Sequence, residues 1–155
     1  MACGFSEDGT SFMLKRTKHA IALVIWNEDR DKVLTVQRPS TDEDLPDVWG
    51  LPAGSLRVGE TFEACVVRSG REKLGVGVRI VGLLAEGAIE RPACILHMKE
   101  YEVEIVHGAP SVPQPVEGIT QYQRWKWAEP AVLTEAAHKG SLCARLFLAS
   151  RHVSS

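Results

Sequence analysis

Several things are scarce or missing in this chain, and each absence closes off a class of function. No run of Lys and Arg exceeds two residues and the net charge is −2, which argues against a nucleic-acid backbone as partner. The longest apolar run, Ala20–Trp26, is far too short to span a bilayer. The first residues lack the apolar core of a signal peptide, so the expected location is the cytoplasm. The four cysteines, at 3, 65, 94 and 143, include no C-x-x-C pair and no cluster, so free thiols are expected rather than a zinc site or disulfide framework. The five histidines are scattered without metal spacing, and there is no internal repeat.

What is present is a globular composition of 155 residues, 45% hydrophobic and 25% charged, enough for one domain with a substantial core. Residues 1–17 are polar and irregular and read as a lead-in, leaving 18–155 as the single domain. Ala20–Trp26 and Lys32–Gln37 read as strands joined by the turn-rich NEDRD. A Pro- and Gly-punctuated loop then leads to a helix from about Thr61 to Leu74, ending at Gly75. Two more strands are expected in VRIVGLLAEGAI and CILHMKEYEVEIVHG. In the second, Glu100, Glu102 and Glu104 alternate with apolar residues and read as a wet face. GAPSVPQPVEG is a loop and ITQYQRWKW a strand, with Trp125 and Trp127 on one packing face. EPAVLTEAAHKG and SLCARLFLASRHV close the chain as helices. Strands with one embedded helix and a helical C-terminal end suggest an α/β or α+β sandwich.

The helix after Thr61 gathers chemistry on one side. Ser69, Glu72 and Lys73 are three and four residues apart and share a face, and Arg68 precedes Glu72 by one turn. A Gly-rich loop running into a helix with a carboxylate face is a cradle for a hard cation and a polyphosphate, since Mg²⁺ takes oxygen ligands and keeps several waters. The plain alternative is a solvated helix whose acids sit near the N-terminus and whose bases sit near the C-terminus.

The segment GSLRVGETFEACVVRSGREKLGV resembles the Nudix box, G-x5-E-x7-R-E-U-x-E-E-x-G-U, with Gly54, Glu60, Arg68, Glu72, Gly75 and Val76 at the expected positions. The preceding VLTVQRPS and LPDVWGLPAG resemble the strand, arginine and W-x-x-P-x-G lead-in of Nudix hydrolases, and the similarity spans roughly residues 19–133. The resemblance implies an α/β fold, a Nudix-type α/β/α sandwich with a mixed central sheet, and metal-dependent hydrolysis of a nucleoside diphosphate linked to another moiety. It implies Mg²⁺ or Mn²⁺ held by the Ala53 carbonyl, Glu60, Glu72 and Glu117, with Arg68 and Glu72 in catalysis and Arg38 and Gly54 at the substrate. It further implies a small nucleotide-type substrate, with no membrane partner expected from the sequence; oligomeric state stays open, a homodimer being common among similar proteins.

Three positions depart from the pattern. Ser69 and Lys73 stand where glutamates belong, and Gly70 stands where an aliphatic residue belongs, at a helix cost of about 1 kcal/mol relative to Ala. Lys73 is expected to pair with Glu72 or Glu117 and to replace part of the metal's charge. Two readings stay open, a hydrolase with an altered box and a Nudix-fold nucleotide-binding or regulatory domain without turnover.

Overall fold

The computed structural model describes residues 15–113 and 122–153, which leaves Glu117 and most of the N-terminal lead-in outside the described residues. Among the described residues, seven strands and three α-helices follow in the order β1 Thr17–Val24, β2 Val33–Gln37, β3 Trp49–Gly50, β4 Ala53–Ser55, α1 Phe62–Leu74, β5 Gly77–Glu90, β6 Ile95–His107, β7 Arg124–Ala128, α2 Thr134–His138 and α3 Leu142–Val153. A 3-10 turn, Pro130–Leu133, precedes α2 where a continuous helix is expected from the sequence. Proline at its start lacks the N–H that a longer α-helix upstream would need.

One sheet has the order β4-β1-β6-β5 and is mixed, with β1 parallel to β6 and the other pairs antiparallel. A smaller antiparallel sheet has the order β3-β2-β7. Helix α1 packs on β1, β4 and β5, and α3 packs on β5 and β6.

The apolar run at the start of the chain becomes a strand buried on both faces, as a central strand in a doubly covered sheet must be. Ala20, Ala22 and Val24 of β1 enter a core shared with Leu133, Ala144 and Phe147, while Ile21 and Leu23 enter a second core with Val66, Leu74 and Tyr101. The same double cover corrects the reading of β6. Glu100 is fully buried rather than wet, because the face opposite Tyr101 is roofed by α3. Glu102 is half-buried and paired with Arg30, and Glu104, near the strand's end, is exposed and paired with Arg79.

Helix α1 begins as its sequence dictates, with Thr61 accepting a hydrogen bond from the Ala64 N–H at 3.1 Å. It ends at Gly75, whose N–H bonds the carbonyl of Arg71. Gly70 has a packing reason that offsets its helix cost. A methyl group there would sit 3.1 Å from both Cγ atoms of Val78, so the glycine lets α1 lie close on β5.

Candidate functional site

The turn from β4 into α1 is held by one guanidinium. Arg68 donates from Nε to Glu60 at 2.7 Å and from Nη2 to the other Glu60 oxygen at 2.9 Å. It also donates from Nη1 to Glu72 at 3.0 Å and from Nη2 to the Ser55 carbonyl at 2.9 Å. Arg57 adds a second cation on Glu72 at 3.3 Å, and its backbone N–H donates to Glu60 at 3.0 Å. Hydrogen bonding from Arg68 outweighs partial burial and pulls the Glu60 carboxyl down to about 2. The same pairing, led by Glu60, holds the Arg68 guanidinium above its ordinary range.

Ser69 does not share this charged face. It is completely buried, its hydroxyl 3.9 Å from the Cys65 sulfur, and it packs under β4. A Cβ on Gly54 would fall inside the Ser69 hydroxyl, so these two residues fit only as a small pair.

Lys73, one turn on, reaches the preceding residue of the same strand. Its ammonium donates to the Ala53 carbonyl and lies 5.6 Å from the centre of the Tyr122 ring. The Tyr122 hydroxyl accepts from the Ala53 N–H at 3.2 Å and is 3.5 Å from the Ala53 carbonyl. Burial, reinforced by the charges of Arg38 and Arg68, brings the Lys73 ammonium down to about 8. The expected pairing of Lys73 with Glu72 is not formed. Arg68 and Arg57 take Glu72 instead, because at four residues' spacing Arg68 lies directly over it.

Lys73 forms part of a cleft of about 670 Å³ between β4, the loop after β5, and the start of α3. Arg38, Ala53 and Gly54 all border it. Among the described residues, five cationic side chains line it (Lys18, Arg38, Lys73, Arg91 and Lys139) against one carboxylate, Asp44. Arg38 is oriented by Asp42, with bonds of 2.9 and 2.7 Å. Arg91 is held by the Gly140 carbonyl at 2.9 Å. Lys18, Arg91, Lys139 and Tyr122 carry no local signal in the sequence, since they come from segments up to 121 residues apart.

Among the described residues, no group of three or more His, Cys, Asp or Glu side chains comes together to hold a metal. More directly, the Ala53 carbonyl is occupied by an ammonium, and Glu60 and Glu72 are both bridged by arginine. A divalent ion about 4 Å from the Lys73 nitrogen would meet a repulsion of roughly 8 kcal/mol at the screening typical of such sites. With Lys73 in this position, the residues present do not fit a dication at that carbonyl.

The NUDIX domain pattern matches residues 15–147 of the sequence. The chain belongs to the Nudix family. Among solved structures this Nudix chain is similar to the ORF135 protein of E. coli, at 22% identity and TM-score 0.68, covering 88% of this chain and 92% of that one. It is also similar to a NUDIX hydrolase from Nitrosomonas europaea, at 17% identity and TM-score 0.68, covering 90% of each chain. A UDP-X diphosphatase aligns at 14% identity and TM-score 0.59, over 81% of this chain and 56% of that one. No curated protein matches by sequence. At these identities the likenesses show the fold, an α/β sandwich with a mixed sheet.

Proposed function

We propose that this Nudix protein is a pyrophosphohydrolase whose substrate is a nucleoside diphosphate linked to a second moiety, taken up in the cleft beside β4. The cleft carries this reading, because its described lining holds five cations and one carboxylate, and even with Arg38 paired to Asp42 and Lys139 to Glu135 the remaining positive charge suits a diphosphate. Its volume falls in the range of roughly 300–1,000 Å³ used for ligands of this size. One fold neighbour is named a UDP-X diphosphatase, which supports the ligand class by analogy of fold.

In the proposed reaction a water oxygen bonds to one phosphorus and the bond to the bridging oxygen breaks. Two phosphate products leave, and one proton passes to solvent. Arg38 and Lys73 oppose the negative charge that gathers on the phosphate oxygens. Nudix hydrolases generally use a divalent metal, and a Mg²⁺ or Mn²⁺ requirement is the part of the family reading that Lys73 opposes. Free thiols at Cys65, Cys94 and Cys143 support a reducing, cytoplasmic setting.

A second reading, ligand binding without turnover, is favoured by the two box acids locked on arginine and by the burial of Ser69. Incubation with UDP-glucose and ADP-ribose, in Mg²⁺, Mn²⁺ or EDTA, separates the two when mononucleotide products are resolved by anion exchange. Product formation lowered about 10- to 100-fold in Arg38→Glu supports the hydrolase. A thermal shift without product selects the binding module, and neither shift nor product refutes the ligand class.

A further inference from the structure

We infer that Lys73 is a built-in cation of this site, and that the cleft binds its diphosphate ligand through this ammonium without a divalent metal. The inference rests on the diphosphate ligand proposed above.

Three features converge on it. The Lys73 ammonium lies on the Ala53 carbonyl, where the box would place a metal, so a positive charge is already fixed on the helix side of the cleft. An ammonium has three donors, of which the carbonyl takes one. Among the described residues it forms no salt bridge, and the nearby Glu72 carboxylate acts on it only through space while engaged by Arg68 and Arg57.

The acids that would answer a dication are meanwhile spent. Arg68 holds Glu60 and Glu72 on the outer side of the turn, and Arg57 adds a second guanidinium on Glu72. The box has thus exchanged a carboxylate-plus-metal arrangement for a lysine, while Arg38 keeps a second cation on the same cleft. Lys73 is also positioned firmly. Its stem leaves a helix seated close on β5 through Gly70, and its head lies over the Tyr122 ring.

The test is calorimetric titration of the folded full chain with inorganic pyrophosphate, UDP-glucose and ADP-ribose, once in EDTA and once in Mg²⁺. The expected result is binding of at least one probe in EDTA, with a Kd within about twofold of that in Mg²⁺. Lys73→Met, close in volume and uncharged, is expected to weaken that binding about 10- to 100-fold, with its circular dichroism unchanged. Wild-type binding that appears only with Mg²⁺ overturns the inference and leaves the proposed ligand class standing. A folded Lys73→Met that binds in EDTA as the wild type does also overturns it. No binding of any probe in either buffer overturns the inference and the ligand class together. If Lys73→Met fails to fold, the wild-type comparison of EDTA with Mg²⁺ still decides.

Discussion

Replacing Glu100 by Gln should stabilise this protein, and by an amount that grows with pH. Glu100 is fully buried on β6, and neither carboxylate oxygen has a hydrogen-bond partner among the described residues. Burial alone pushes its carboxyl from 4.5 up to about 9, so the folded protein carries it as the neutral acid at pH 7. The unfolded chain ionises it near 4.5, so above that pH the folded state binds the extra proton. Stability therefore falls as pH rises from about 4.5 to about 9, by roughly 1.4 kcal/mol per pH unit from this one group. At pH 7 the accumulated cost is about 3 kcal/mol. Gln has nearly the shape of the protonated acid and does not titrate, so it escapes this cost. Urea unfolding of both proteins at several pH values from about 5 to 8 reads the difference directly, because groups common to both cancel. The gap should be small near pH 5 and widen steadily above it. A gap independent of pH would mean that folding leaves the Glu100 carboxyl unshifted, and one that closes as pH rises would mean that it is ionised and partnered; either result refutes the prediction.

Two further substitutions probe the box itself. Gly54→Ala drives a methyl into the Ser69 hydroxyl and should cost about 1–3 kcal/mol by thermal unfolding, with much of the loss recovered in Gly54→Ala/Ser69→Ala. Equal losses in the single and double variants would show that the contact is not the cause. Arg68→Ala leaves Glu60 and Glu72 without their main cation and should destabilise by about 2–4 kcal/mol at neutral pH. Because the Glu60 carboxyl is lowered to about 2, its share of stability is present above about 4.5 and fades as pH falls toward 2. The deficit of Arg68→Ala should shrink over that acid range, and a deficit that holds constant would exclude the pairing as its source.

Much of the framework was legible because it is written locally. Thr61 and Gly75 mark the helix by the hydrogen bonds their chain positions allow, and the structure begins and ends it there. The run around Ala20–Val24 announced a strand, and burial on both faces explains why it has no polar alternation. Alternation in β6 showed that its residues face two ways, but not which face another element covers. That is why Glu100 read as wet, while Glu104 is indeed exposed. Sequence spacing correctly set Arg68 beside Glu72, since one helical turn fixes that contact. It had no access to the Ala53 carbonyl that Lys73 meets 20 residues back, nor to cations brought to the cleft by Lys18 and Lys139. Such encounters depend on how β4 lies against α1, which strand pairing with β1 decides.

The two cations on α1 that grip β4, Arg68 at Ser55 and Lys73 at Ala53, also bear on how a ligand is received. A diffusible metal must be recruited before it can shape a strand, and its occupancy follows its concentration. A lysine on the same chain has no such dependence, and the wall of the cleft is already in place when a ligand arrives. Less ordering then remains to be done at the moment of binding, and the entropic penalty of association falls accordingly.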